Sequence, residues 1–330
     1  MNVMVLAAGE GTRLRPYTTQ LPKPAIPFLT LPLAAHALGF LQGIKINKLV
    51  VNTYHLPEKI HTLFNKINHQ ANELIFSDEK GKILDSGGGL NKVHSHFKDG
   101  GDFILMNADT VILPKDSEIL KKAISHHRST GAVATVLVMS HPGLGTQFGG
   151  IWADGKNAIK GFGKGKVEGA ETAWHYIGVQ IFSEKIFNYL PKQDVSHIFY
   201  DGVMAAVNSG ETAQVYPIEC TWFETGNPTD LIEASKYCVN ALLGDDGHEK
   251  QALEKTFAQY SSSKVITQKF NEANLQFSSE AIIDNESKFS GFVSAGPGAV
   301  IGKNCKLENV IIGDGVHVAD GTTVNNTILL

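Results

Sequence analysis

Gly9, Gly11, Arg13 and Lys23 are the residues whose types and spacing best suit the holding of a polyphosphate. The glycines and Arg13 stand in the run Val5-Leu6-Ala7-Ala8-Gly9-Glu10-Gly11-Thr12-Arg13-Leu14-Arg15-Pro16, and Lys23 lies between Pro22 and Pro24. Glycine permits φ values and close approaches that a Cβ forbids, so consecutive amides can turn into one concavity and form an anion nest. The guanidinium fork of Arg13 suits a phosphate presenting two oxygens, and the Lys23 ammonium acts as a point charge. Spacing excludes two other glycine-rich loops. A P-loop ends in Gly-Lys-Ser/Thr, whereas Gly11 is followed by Thr12 and Arg13, and a dinucleotide fingerprint needs a third glycine where Leu14 stands.

The elements around this loop follow from periodicity. An apolar strand, Val3 to Leu6, leads into it; Leu31 to Gln42 reads as a helix and Lys48 to Asn52 as a buried strand. Pro57 to Asn68 carries Ile60, Leu63, Phe64 and Ile67 on one helical stripe. Phe103 to Met106 is a second buried strand, ending at Asn107-Ala108-Asp109-Thr110; the helix Ser117 to Arg128 and the β-rich run Ala132 to Met139 follow. This alternation predicts a doubly wound α/β domain on a mixed sheet, with ligands at the carboxyl ends of strands. Its last piece is a helix from Pro228 to Leu243, because proline suits a first turn and Gly244 follows the last apolar residue.

The first domain is therefore expected over 1–243. The charged, Ser/Asn-rich stretch 244–287 reads as a connecting region with a short helix, Lys250 to Tyr260. Over 288–330, Ala299-Val300-Ile301-Gly302, Val310-Ile311-Ile312-Gly313 and Val316 to Gly321 repeat in sixes, the pattern of a short left-handed β-helix. No polar cap follows these coils, which leaves open pairing with a second copy.

Composition narrows the partners. The 330 residues hold 42% hydrophobic and 19% charged side chains, the balance of a soluble globular protein. Twenty-nine basic against 33 acidic residues give −4, so no net positive field gathers nucleic acid or an anionic membrane. Cys220, Cys238 and Cys305 lack the paired spacing of a zinc or redox site, which fits a reducing cytoplasm, and the thirteen histidines show no metal-ligand pattern. The first residues do not read as a leader, and no apolar run nears the ~18 residues of a membrane span.

Leu6 to Pro16 and Pro22 to Pro24 match, at every fixed position, the loop Leu-Ala-Ala-Gly-x-Gly-Thr-Arg-Leu-x-Pro with its following Pro-Lys-Pro. In this the chain resembles the sugar-1-phosphate nucleotidylyltransferases, and the resemblance runs in order from about Met1 to Leu243. It implies a cytoplasmic, Mg²⁺-dependent enzyme that joins a nucleoside triphosphate, UTP or GTP, to a sugar 1-phosphate and releases pyrophosphate. Leu6, Ala7, Ala8, Gly9, Gly11, Thr12, Arg13 and Lys23 would bind the nucleotide, together with Gly87 and Gly88 of Leu84-Asp85-Ser86-Gly87-Gly88-Gly89-Leu90, read as a turn whose glycines let backbone approach base or ribose. This segment and Asn52-Thr53-Tyr54-His55-Leu56 are similar to N-acetylmuramate-1-phosphate uridylyltransferases and to heptose- or mannose-1-phosphate guanylyltransferases.

The sugar phosphate is already an anion at neutral pH, so this chemistry needs positioning and positive charge more than a strong base. By resemblance, Arg13 holds the departing β- and γ-phosphates, Lys23 steadies the α- or sugar phosphate, and Asp109 binds the metal; these three form the catalytic set. The family's second metal aspartate, in Trp-x-Asp-x-Gly-x-Pro, is Glu224 in Trp222-Phe223-Glu224-Thr225-Gly226-Asn227-Pro228. The family's usual Glu-Lys-Pro motif that grips the sugar phosphate is absent; by the same resemblance Lys164, or Lys166, would substitute for it, with Gly149 and Gly178 sparing room for the ring. Glu224 and the missing motif keep a second reading open, a non-catalytic paralogue that binds sugar nucleotides. A third is a nucleotidyltransferase for an alcohol phosphate.

Overall fold

Alternation along the first strand sends Val3 and Val5 to one side of a sheet and Met4 to the other, and both sides are buried. The computed structural model describes residues 1–98, 101–192 and 194–330. The chain runs β1 (Asn2–Leu6), α1 (Leu33–Gly39), β2 (Lys48–Thr53), α2 (Pro57–Lys66), β3 (Glu73–Asp78), α3 (Asp85–Lys92), β4 (Phe103–Asn107), β5 (Val111–Pro114), α4 (Ile119–Thr130) and β6 (Ala134–Met139). It continues through β7 (Gly150–Ala153), β8 (Ile159–Gly163), β9 (Thr172–Phe182), β10 (Ala213–Pro217), β11 (Cys220–Phe223), α5 (Pro228–Leu243) and α6 (His248–Tyr260).

Nine of these strands form one sheet. Its path is β8-β7-β9-β4-β1-β2-β3, with β6 joining β9 and β10. β1 lies parallel to β2 and β4, whereas β9 runs antiparallel to β4, β6 and β7, so the sheet is mixed as expected. α1, α2 and α4 bury Leu38, Phe64 and Leu120 against Val5 and Val51 on one face; Leu90 of α3 packs with Met4 and Val50 on the other. Helix ends obey local chemistry. Pro57 opens α2, Gly131 at φ +62° closes α4, and the Asn227 side chain accepts from the Asp230 amide at 3.0 Å to cap α5.

The glycine run 87–89 departs from the sequence reading: it lies inside α3 rather than in a turn. Its lack of side chains serves packing. A Cβ on Gly88 would collide with the Asp194 carbonyl oxygen, and one on Gly87 would stand 2.8 Å from that of Ser196. Gly88→Ala, which on propensity alone would favour a helix, is therefore expected to destabilise by on the order of 3 kcal/mol in urea unfolding. A neutral or stabilising result would show that the contact relaxes freely.

The stretch 244–287 also does more than connect. It contributes α6 and three strands, and parallel stacking begins at Ala273–Ser278 rather than at 288. One sheet orders the strands 265–270, 273–278, 288–295, 306–312 and 323–329; a second orders 282–283, 300–301 and 317–318. Ala273 faces Gly291 and Lys306 faces Thr323, offsets of 18 and 17 residues between parallel neighbours. Ala299, Ile301, Leu307, Val310 and Ile312 fill the space between the sheets.

These two sheets rest on the back of the glycine-rich loop. Leu14, fully buried, shares a cluster with Phe28, Leu231, Phe292, Ile311 and Ile328. The Tyr17 hydroxyl lies 3.1 Å from Thr327 Oγ1 and accepts from the Ile328 amide at 3.4 Å. Among the described residues, no helix is long and apolar enough to cross a membrane.

Candidate active site

The loop after β1 opens at the carboxyl end of the parallel strands, where a cavity of about 520 Å³ begins. Gly11 sits at φ +62°, and a Cβ there would meet Thr18 Cγ2 at 3.0 Å and Lys23 Cβ at 3.1 Å, so glycine is required. Around Gly9 nothing lies within 4 Å of a Cβ position, which leaves that stretch open to a ligand. Thr18 Oγ1 donates to the Gly11 carbonyl at 2.9 Å, and the Leu14 amide donates to the same oxygen at 2.9 Å. Among the described residues, the amides from Ala8 to Arg13 donate to nothing in the chain. Leu6, Ala7, Ala8, Gly9, Gly11 and Thr12 all line the cavity, with Arg13, Lys23 and Asp109 beside them.

Each cation faces a carboxylate. Lys23 Nζ lies 2.7 Å from Asp109 Oδ2, with the two side chains 14% and 29% exposed, so this pair is largely shielded. Arg13 Nη2 stands 3.5 Å from Glu224 Oε1, and the guanidinium is 69% exposed, free to swing onto an incoming anion. A Cβ on Gly226 would collide with Glu224 Oε1 and lie 2.6 Å from Arg13 Nη2, so that glycine makes room for both groups. Thr225 Oγ1 donates to the Asp109 carbonyl at 2.8 Å and Trp222 Nε1 to Thr110 Oγ1 at 3.2 Å, which locks the turn after β4 to β11 and the segment that follows it.

The opposite wall contains residues that the sequence reading missed. Tyr176 and Gln180 project from β9, and His197, Ile198 and Phe199 come from the segment that leads into the helical turns at 198–208. Burial, then the nearby Asp109 carboxylate, push the Tyr176 phenol upward, so it remains an O–H donor. Gln180 is 1% exposed and its Oε1 has no hydrogen-bond partner among the described residues. The available signal was a single amide in an apolar strand, two residues beyond Gly178.

Other expected contacts are displaced. Gly87 and Gly88 are buried and both donate to the Ser196 carbonyl, at 2.8 and 3.1 Å, so Asp85 and Ser86 line the cavity in their place. Gly149 packs against the Gly163 backbone, Gly178 holds φ +94° over Thr110, and Lys164 is exposed after β8; none of the three lines this cavity. Glu224 borders a second cavity of about 510 Å³, lined also by His141, Phe148, Trp222 and Lys236. Beside it lies His175, held neutral because burial and the adjacent His141 push it down to about 4.

Among the described residues, no three His, Cys, Asp or Glu side chains gather as a metal cluster. Asp109 and Glu224 offer two hard carboxylates on tethered turns. That donor set suits Mg²⁺, which takes one or two carboxylates and completes six ligands with phosphate oxygens and water.

Comparison with known proteins agrees with this fold. The family model described as nucleotidyl transferase matches residues 2–240. A UTP–glucose-1-phosphate uridylyltransferase from Synechocystis sp. is 30% identical over 71% of this chain, which spans 62% of that protein. A mannose-1-phosphate guanylyltransferase from Mycobacterium tuberculosis is 23% identical over 98% of this chain and 83% of its own length. The solved UDP-glucose pyrophosphorylase from Acinetobacter baumanii superposes with a TM-score of 0.61 at 17% identity, covering 77% of this chain and 97% of that one; the fold is shared. The matched range takes in the loop, its two cations and the carboxylate beyond β4, and the chain is a member of the nucleotidyl transferase family.

Proposed function

We propose that the protein transfers a nucleotidyl group from UTP or GTP to a sugar 1-phosphate, with Mg²⁺, yielding a nucleotide sugar and pyrophosphate. The observation that carries this reading is the convergence of free loop amides, Arg13, Lys23 and Asp109 on one cavity. The amides and Arg13 would take the β- and γ-phosphates, and Lys23 would hold the α-phosphate against the attacking phosphate oxygen. The metal, held by Asp109 and Glu224, would supply charge neutralisation on the phosphates. Tyr176 and Gln180 offer a donor and a free acceptor to the ligand's polar edge.

The carboxy-terminal sheets are read as a short left-handed β-helix, supported by the near-18-residue offset between coils. Among the described residues its strand 323–329 pairs on one side alone, with 306–312, an open edge that suits pairing with another copy. Three free cysteines support a reducing, cytoplasmic setting.

The test is pyrophosphate release from four nucleoside triphosphates against a panel of sugar 1-phosphates, with Mg²⁺ and with EDTA. Activity confined to UTP or GTP and abolished by EDTA is expected. Binding of nucleotide sugar with no release for any pair would favour the non-catalytic reading, and release with choline phosphate in place of the sugar would favour the alcohol-phosphate reading. In the same assay Glu224→Asp should stay within about threefold of the starting protein, whereas Glu224→Ala should lose about tenfold or more, as expected for a carboxylate on a hard cation. An unchanged Glu224→Ala protein would remove Glu224 from the metal site.

A further inference from the structure

We propose that Asn52 and buried Glu79 form a hydrogen-bond relay of fixed polarity that holds the two walls of the nucleotide cavity in register. Asn52 Oδ1 accepts from the Ala7 amide at 2.8 Å, at the root of the glycine-rich loop. Asn52 Nδ2 donates to Glu79 Oε1 at 2.7 Å, and Glu79 Oε2 accepts from the Leu84 amide at 2.7 Å, where α3 begins. Asn52 is 3% exposed and Glu79 5%. The chain of bonds therefore runs from one cavity wall to the other through buried atoms.

Both ends of the relay are backbone N–H groups, which can only donate. Asn52 must turn its oxygen to Ala7 and its amide nitrogen to Glu79, and Glu79 must accept twice, which an ionised carboxylate does. Gly89 admits the pair, since a Cβ there would lie 3.0 Å from both Asn52 Nδ2 and Glu79 Oε1. Neither side chain touches the reacting atoms by this arrangement. They are positioning residues, and their role in nucleotide binding rests on the transferase reading above.

Fixed polarity gives an unusual test. In Glu79→Gln, the new amide must serve Leu84 with its oxygen, which sets its NH₂ against the NH₂ of Asn52. In Asn52→Asp, a second carboxylate faces Glu79. Together, Asn52→Asp with Glu79→Gln restores all three bonds and the same net charge. The carboxylate now at position 52 accepts from the Ala7 amide and from the side-chain NH₂ now at position 79, whose oxygen accepts from the Leu84 amide.

Amide exchange at Ala7 and Leu84 would be followed in the free protein, and affinity measured for Mg²⁺ with UTP and with GTP. Each single variant is expected to speed exchange at both amides and to weaken the preferred triphosphate by about tenfold or more, the effect of a buried group left unpaired. The KM for the sugar 1-phosphate should change far less than triphosphate affinity. The double variant should recover both readouts. Single variants that bind triphosphate like the starting protein, or a double variant no better than the worse single, would overturn the relay. If the starting protein bound neither triphosphate while the exchange pattern and its rescue held, the transferase reading would fall and the brace between the walls would stand.

Discussion

Asp109→Asn protein is expected to lose Mg²⁺-dependent pyrophosphate release by about a thousandfold, while binding triphosphate more tightly in EDTA. The substitution is nearly isosteric, and the Asp109 carbonyl that accepts from Thr225 is backbone, so the turn itself should persist. What disappears is a negative charge 2.7 Å from Lys23. With metal present, that loss would remove one of the two carboxylates that the proposed function assigns to the ion, and with it charge neutralisation on the phosphates. Without metal, the same loss frees the Lys23 ammonium and removes repulsion of the triphosphate, so affinity rises. Opposite signs for turnover and metal-free affinity separate a lost ligand from a damaged fold. Turnover within tenfold of the starting protein would exclude Asp109 as a metal ligand.

Lys23→Met should lower kcat/KM by about two to three orders of magnitude, the range found when a preorganised group facing developing charge is removed. Lys23 is only 14% exposed and sits between two prolines, so its ammonium is held rather than tethered loosely in water. Methionine keeps the length of the stem and its packing near Gly11, which confines the change to the charge. Lys23→Arg should rescue poorly, because a planar fork does not fit a site shaped around a compact charge already 2.7 Å from Asp109. Steady-state kinetics with a thermal melt for each variant checks this. A Met variant retaining more than a tenth of the activity would assign Lys23 to the turn's architecture alone.

The sequence made the glycine-rich loop and its place on a cavity legible because the parts that define it are contiguous. Gly9, Gly11, Arg13 and Lys23 lie within fifteen residues and all reach one cavity. Asp109 was readable for a related reason, since a buried strand that stops at an acidic turn aims that turn at the crevice. The opposite wall was not legible. Tyr176 and Gln180 reach the cavity because β9 enters the sheet antiparallel beside β4, a pairing that local periodicity does not encode.

The glycines at 87 and 88 show another limit. A sequence reveals that a side chain is missing, but not whether a ligand or the chain's own backbone fills the space; here the carbonyls of Asp194 and Ser196 do. Glu79 gave no signal because an isolated glutamate is indistinguishable from a surface charge until its two amide partners are placed. Parallel stacking begins earlier than the sequence suggests because the strand 273–278, Ala-Asn-Leu-Gln-Phe-Ser, mixes polar residues into the first layer.

Leu14 and Tyr17 join the underside of the glycine-rich loop to the last strands of the carboxy-terminal sheets through one continuous apolar floor. Residue 243 is thus a landmark along the chain rather than a seam in the molecule. A fragment cut there would bare Leu14, Phe28 and Leu231 to water, and would withdraw the foundation under Arg13 and Lys23 along with the coils. The carboxy-terminal sheets are built in as a buttress, and transplanting them from a relative would require reshaping the loop they carry.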